Sequence, residues 1–344
     1  MVINEGNSDN LGDQAIKKSL EYIIKDCLNQ NYNFEDLSRY KKTNNFYFGG
    51  KNNLKKSKPN SSKLYKTLVT FLLRFIWITR NFYRINKAVK SNDYAIIGGG
   101  QLLLANNIFP FEVFIWTIFL KIYNIKYSFF SVGTEGKFSK LDIFFLKNAL
   151  TGAEKLYVRD QLSKDLINKN FNINSILTYD TAFMYNKIQN LNYNFKTKFI
   201  LLGIVDIEVY RAKKNDFIAE DEYHQLWFEL IKSYDIKNVK LFYSTNNDKS
   251  ECIKFQKFIT KKSGFKIDIL ENTNLKMFIK NIKKAKLVIS GRMHSLILAK
   301  TFKVDYITFE VSDKLAEFEK IYKNLEIGFI QDDIIKKIKL IFQN

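Results

Sequence analysis

Leu287-Val288-Ile289-Ser290-Gly291-Arg292-Met293-His294-Ser295-Leu296-Ile297-Leu298-Ala299 runs from an apolar stretch through a glycine into a second apolar stretch. The first run predicts a buried strand, Gly291 a tight turn, and the second run the opening of a helix. A buried strand that feeds a helix through so short a turn belongs to a mainly parallel α/β sheet. This turn also carries an arginine and one of only two histidines in 344 residues. Arginine at a helix start, beside free backbone N–H groups, is suited to a phosphate or carboxylate. A histidine two positions on can move protons near neutral pH. Together they point to chemistry on an anionic substrate.

Outward from this turn the same alternation fills the chain. Residues 2–4 predict a minimal first strand, and 14–28 a helix with apolar positions at Ile16, Leu20, Ile23, Ile24 and Leu28. Residues 43–63, rich in Asn, Lys and Ser, predict a mobile loop, and 63–87 a basic, aromatic-rich helix. Strand 94–97 is expected to end in Gly98-Gly99-Gly100, before an apolar helix to about 123. Strand 127–132 is expected to end in a second glycine loop, Gly133-Thr134-Glu135-Gly136. Helix 141–149, strand 155–158, helix 160–168 and strand 176–179 follow, the last closing on Asp180. Residues 186–197 read as a linker between domains 1–185 and 198–344. The alternation then resumes: strand 199–205, helix 222–234, strand 239–243, helix 249–262, strand 266–270, helix 275–284, strand 287–289, helix 295–302, strand 306–309 and a terminal helix from about 332. Two α/β halves of this kind, Rossmann-like and facing a central crevice, resemble the GT-B arrangement. Ligands of such sheets lie outside the carboxyl ends of the strands. The Arg292-His294 turn, Gly98–Gly100, Gly133 and Asp180 all follow predicted strand ends.

Composition narrows the function classes. At 40.6 kDa, with 46% hydrophobic and 15% aromatic residues, the chain can build two cores. Two cysteines, Cys27 and Cys252, and two histidines offer no zinc-ligand spacing. Residues 1–15 lack the apolar segment of a signal peptide, and the apolar run 113–120 is too short to span a bilayer. A cytoplasmic protein is expected. The net charge of +20 comes with abundant Lys, Asn and Ile spread along the chain, so nucleic acid is not the expected partner. An anionic small molecule or lipid surface fits better. The helix over 63–87 reads either as an interfacial segment at the inner face of a membrane or as a core helix with snorkelling Lys and Arg.

Four smaller motifs have two readings each. Asn10-Leu11-Gly12-Asp13-Gln14-Ala15-Ile16 is an N-cap with Asp13 favouring the helix dipole, or a site element. Gly98-Gly99-Gly100 gives a ligand close access to backbone, or makes a tight turn; it matches neither a dinucleotide nor an ATP motif. Val158-Arg159-Asp160 offers Arg159 to an anion, or forms a local ion pair beside an N-capping Asp160. His224, among Tyr223, Trp227 and Phe228, reads as a surface or packing residue.

In order along the chain, 10–16, Ile96-Ile97-Gly98-Gly99-Gly100-Gln101-Leu102-Leu103, Ser131-Val132-Gly133, Val158-Arg159-Asp160-Gln161-Leu162-Ser163, Tyr179-Asp180-Thr181-Ala182-Phe183 and Ser290–Ser295 resemble the polysaccharide pyruvyl transferase family. Phe309-Glu310-Val311-Ser312-Asp313-Lys314 resembles the family's late segment ending in lysine. The resemblance implies a GT-B-like fold and transfer of a pyruvyl group from phosphoenolpyruvate to sugar hydroxyls, closing a ketal in a capsule, exopolysaccharide or cell-wall glycan. It matches Arg292 and His294 to the family's donor-contacting Arg-x-His pair. The chain departs from the family in its short first strand and at Thr134-Glu135-Gly136, where many relatives carry a Gly-Pro-type turn. There Glu135 brings negative charge towards an anionic donor.

The donor's chemistry assigns roles. Phosphoenolpyruvate carries a phosphate and a carboxylate, which calls for Arg292, Arg159 and Lys314, with Gly98, Gly99 and Gly100 as close-approach backbone. His294 is the candidate acid for the methylene carbon, and Asp13 or Asp180 would orient the sugar or act as base. No cofactor or metal is called for, and the acceptor sugar is free or lipid-linked. Two rivals share these features: a nucleotide-sugar glycosyltransferase of the same fold, and a non-catalytic membrane- or glycan-binding protein of a polysaccharide assembly.

Overall fold

The computed structural model describes residues 1–38, 63–105, 108–188 and 199–343. The loop expected over 43–63 lies, but for Lys63, outside these residues, as does nearly all of the linker expected over 186–197. The chain divides into two units: Met1–Asn7, Ile23–Asp180 and Asp333–Asn344 form the first, Ser8–Tyr22 and Thr181–Asp332 the second.

The first unit is built on six strands, β1 (Val2–Asn4), β2 (Phe34–Asp36), β3 (Tyr94–Leu104), β4 (Lys126–Glu135), β5 (Leu156–Val158) and β6 (Ile176–Leu177). They pair in parallel in the order β2-β1-β3-β4-β5-β6. The short β1 is an interior strand, and its three residues are fully buried. β2 was not expected, because Phe34-Glu35-Asp36 carries no apolar alternation; backbone pairing to β1 at the sheet edge suffices. Helices Lys63–Lys90, Phe109–Ile122 and Lys140–Thr151 cover this sheet around a core that includes Ile97, Val113, Trp116, Phe129 and Leu146.

The second unit has five strands, β7 (Ile200–Gly203), β8 (Val239–Leu241), β9 (Asp268–Ile269), β10 (Leu287–Ser290) and β11 (Asp305–Thr308). All pair in parallel, in the order β11-β10-β7-β8-β9. The sheet therefore switches direction at the β7/β10 neighbours, the place where an open α/β sheet leaves a crevice for ligands. Helices Ile207–Lys214 and Asp313–Tyr322, not anticipated from the sequence, complete the unit.

The expected boundary, at 185/198, is crossed twice. Helix Leu11–Tyr22 belongs to the second unit because Leu11 and Ala15 pack in the same core as Leu201, Phe278 and Leu298. The C-terminal helix Ile327–Lys339 starts in the second unit, where Gln331 donates to the Phe183 carbonyl at 2.8 Å. It ends in the first, where Asp333 accepts from Thr178 at 3.2 Å. An apolar anchor at Leu11 and Ala15 and a hydrogen-bonded one at Gln331 and Asp333 thus outweigh chain continuity in setting the division.

Among the described residues no helix is long and apolar enough to cross a membrane.

Candidate functional site

At the carboxyl end of β10 the chain turns and helix Met293–Thr301 begins, two residues earlier than expected. Arg292 is the N-cap residue and His294 lies in the first turn. The Arg292 guanidinium grips the Asp248 carboxylate with two parallel bonds, Nε to Oδ2 at 3.0 Å and Nη2 to Oδ1 at 2.6 Å. Asp248 is only 1% exposed and also accepts from the Asp206 backbone N–H at 3.1 Å and from the Ser244 hydroxyl at 3.1 Å. A bidentate fork of this kind fixes the plane as well as the position of the guanidinium. The Arg292 side chain is 27% exposed. Burial works to lower the Arg292 pKa, but Asp248, with Asp206 and Tyr223 close by, raises it above the ordinary value. Arg292 is therefore a permanent cation in a fixed orientation.

Asp206, just past β7, caps helix Ile207–Lys214 by accepting from the Glu208 N–H at 3.0 Å. Burial pushes its carboxyl above the ordinary carboxylate value, with Glu251 and Asp248 adding to the effect. The loops after β7, β8 and β10 thus converge on one set of charged groups.

His294 is placed by a glycine. A methyl group at Gly12 would lie 2.3 Å from His294 Nδ1, so the imidazole rests directly on the backbone of the first turn of helix Leu11–Tyr22. That helix start is held by the Asn10 side chain, whose Oδ1 accepts from the Gly12 N–H at 2.9 Å. It is also held by the Leu11 N–H, which donates to the Ser244 carbonyl at 3.0 Å. The capping reading of this motif holds, and Gly12 adds the seat for the histidine. Asp13, in the same turn, accepts from the Ser8 hydroxyl at 3.1 Å. The second unit thereby gathers Arg292, His294 and Asp13 around the ends of β7, β8 and β10. Lys314 is buried at the second position of helix Asp313–Tyr322.

The remaining predicted residues lie in the first unit. Arg159 and Asp180 come together, but as partners: Nη1 meets Oδ2 at 2.7 Å, and both side chains are 3% exposed. Asp160 caps helix Gln161–Phe171 by accepting from the Ser163 N–H at 2.6 Å, and lies 3.5 Å from Arg159 Nε. The ion-pair reading describes what is seen, with Asp180 as the principal partner; a donor at Arg159 has to displace it.

Gly98, Gly99 and Gly100 are not a loop at a strand end. They lie inside β3, which continues to Leu104, and the Gly133-Thr134-Glu135 segment likewise continues β4. Gly99 and Gly100 take φ of +72° and +88°, and the β3/β4 register slips between Gly100 and Leu103. This is a bulge of the kind glycine permits, and alternating polarity was not there to reveal it. Asn4 at the end of β1 donates to the Gly98 and Gly99 carbonyls at 2.5 and 2.8 Å. Glu135 accepts from the Gln101 side-chain amide at 2.8 Å.

Three contributions escaped sequence reading. Asp248 follows Thr245 by three, and Thr245 Oγ1 accepts from its N–H at 3.2 Å, so the sequence signals a helix cap and nothing of Arg292. Asp206 had no motif around it. Of the two readings of His224 the packing one holds: it is buried; what escaped was its partner, Glu251, whose Oε1 lies 2.8 Å from Nε2.

A model of the polysaccharide pyruvyl transferase family matches residues 10–312, nearly the whole chain. The chain belongs to this family. The match begins at Asn10, in the motif that seats His294, and ends at Ser312, just beyond β11. No curated protein matches the chain in sequence. Among solved structures, UDP-GlcNAc 2-epimerase from Neisseria meningitidis bound to UDP-GlcNAc is similar at 12% identity, covering 100% of this chain and 99% of that one, with a TM-score of 0.53. The Methanocaldococcus jannaschii UDP-GlcNAc 2-epimerase with UDP-GlcNAc and UDP gives 16% identity, 100% and 92% coverage and a TM-score of 0.51. S. aureus MnaA with UDP gives 13%, 100% and 87%, and 0.52. At such identities these likenesses speak for the fold, two parallel α/β sheets of GT-B-like type, shared with this member of the pyruvyl transferase family.

Proposed function

We propose that this protein transfers the pyruvyl group of phosphoenolpyruvate to hydroxyls of a sugar in a surface polysaccharide or its precursor, closing a ketal. One observation carries the reading beyond family membership. Arg292, locked by Asp248, stands two residues from a histidine seated on a helix start, at the strand-switch of the second sheet.

Phosphoenolpyruvate brings a phosphate and a carboxylate on one carbon, C2. Arg292 takes one of them, and Lys314 is the candidate second cation of this unit. His294 delivers a proton to the methylene carbon C3, which becomes the methyl group and leaves C2 electrophilic. The oxygen of a sugar hydroxyl bonds to C2, and its proton passes to the neutral imidazole, restoring the acid. The bond between C2 and the phosphate oxygen breaks, and phosphate departs. A second hydroxyl of the same sugar then attacks C2, its proton ending on the departing phosphate. The sum is one ketal and one hydrogen phosphate, with no redox change and no cofactor. Asp13 or Asp206 orients the acceptor hydroxyls. Preorganisation is what Asp248 adds: the guanidinium needs no reorganisation when the anion arrives.

The test is phosphate release from phosphoenolpyruvate in the presence of a panel of oligosaccharides, run beside nucleotide release from UDP- and GDP-sugars. Sugar-dependent phosphate release, with the ketal methyl group seen by NMR, is expected. Nucleotide release in place of phosphate release would move the chain to the glycosyltransferases.

A further inference from the structure

The first unit carries an apolar surface that its own fold leaves uncovered. Helix Lys63–Lys90 buries Trp77, Asn81, Ile85, Ala88 and Val89 against the unit. Its opposite face presents Phe71, Leu72, Phe75, Phe82 and Tyr83, with Phe71 69% and Tyr83 76% exposed. The surface does not stop at this helix. Phe82 packs edge-on to Phe119 of helix Phe109–Ile122, and on that helix Phe114 lies against Phe144 of helix Lys140–Thr151, itself 55% exposed. Three neighbouring helices therefore form one aromatic layer. An exposed apolar patch of such extent marks a place of contact.

Charge identifies what it contacts. Helix Lys63–Lys90 contains no Asp or Glu, and the one acidic residue of each of the other two helices, Glu112 and Asp142, is buried. Arg80, Lys87 and Lys90 are exposed beside the aromatics, and Lys140 and Lys147 border Phe144. A face that is apolar in its middle, basic at its borders and without exposed acid is complementary to an anionic bilayer surface. Aromatic rings there enter the headgroup boundary while Lys and Arg meet lipid phosphates. None of the three helices is of a kind that crosses the bilayer, so the contact is peripheral. We infer that the Phe71–Phe75–Phe82–Phe144 face is a docking surface for an anionic membrane. If the proposed function holds, a lipid-linked acceptor would be met at that surface; the docking itself does not depend on it.

The test is co-sedimentation of the full chain with vesicles of phosphatidylcholine alone and with 30% phosphatidylglycerol, beside analytical ultracentrifugation without lipid. Wild type should bind the anionic vesicles and not the neutral ones. Phe75→Glu/Tyr83→Glu should weaken that binding by at least tenfold, and Arg80→Gln/Lys87→Gln severalfold, with unchanged melting temperature because all four side chains are exposed. No binding to anionic vesicles, or binding that neither variant weakens, overturns the inference. So does a dimer in the ultracentrifuge that Phe75→Glu/Tyr83→Glu dissociates while vesicles are not bound: the face would then belong to a second copy of the chain. Since vesicle binding is read without substrate, its failure is separable from any failure of pyruvyl transfer.

Discussion

Glu112 in the first unit and Glu251 in the second are both buried carboxyl groups, and their surroundings act on them in opposite ways. In the first, Glu112 is 1% exposed and accepts from the Ser38 hydroxyl, with the charge of Glu5 acting against its ionisation and that of Arg84 favouring it. Burial, reinforced by Glu5, raises its pKa to about 8. In the second unit, Asp248 meets Arg292 and Glu251 meets His224. Burial pushes Glu251 upward too, but the bond from His224 and the charge of Lys254 outweigh it and hold the carboxyl below its ordinary value. At Glu112 a neighbouring hydroxyl does not offset burial, whereas at Glu251 the bond from His224 and the charge of Lys254 do. Only the second arrangement can hold a cation such as Arg292 rigidly in place for an anionic ligand.

The largest effect expected from breaking this contrast is at His294. His294→Gln should lower turnover by about 10³-fold or more, while circular dichroism and melting temperature stay at wild-type values. Next is the ion pair. Asp248→Asn keeps the shape but removes the charge that holds Arg292; stability should fall by ~3 kcal/mol in urea denaturation, and phosphoenolpyruvate affinity by more than tenfold. Arg292→Lys should not restore that affinity, since an ammonium cannot make the fork. Gly12→Ala puts a methyl against the imidazole and should lower kcat by about 10²-fold with KM for the donor nearly unchanged, because it moves the proton donor and not the anion anchor.

The smallest effect, and the sharpest for the comparison, is in pH dependence. Glu112 has a folded pKa above its unfolded one, so it favours folding fully below about 4.5, and that contribution is lost as pH rises through about 8. Glu251, with its folded pKa depressed, contributes above its unfolded value and loses that contribution as pH falls through its folded one. Glu112→Gln should therefore raise the melting temperature at pH 9 and leave it nearly unchanged at pH 5. Glu251→Gln should lower it at pH 7 and converge with wild type in acid.

The fold was legible where apolar runs were continuous. β7, β10 and helix Leu275–Lys284 lie close to where the sequence predicts them, and so does the Arg-His turn. What the sequence hid was tertiary. Gly98-Gly99-Gly100 looks like a turn because glycine breaks regular patterns, whereas here it is a bulge stitched to Asn4 and continuous with the strand. Arg159 and Asp180 were both candidates for the reaction, yet twenty-one residues of separation conceal that they neutralise each other. Asp248 lies forty-four residues before Arg292, inside a polar helix start whose capping role is complete by itself. The site's arginine and histidine could be read from their motif; the residues that aim them, Asp248 and Gly12, required the fold.

In the proposed reaction Arg292, held by Asp248, anchors phosphoenolpyruvate. Isothermal calorimetry of phosphoenolpyruvate on wild type and Arg292→Ala, with UDP-GlcNAc as competitor ligand, tests it without knowledge of the acceptor. Phosphoenolpyruvate should bind wild type saturably, with binding lost in the variant and unaffected by the nucleotide sugar. Binding of equal strength to both proteins, or to UDP-GlcNAc alone, would contradict that role of Arg292.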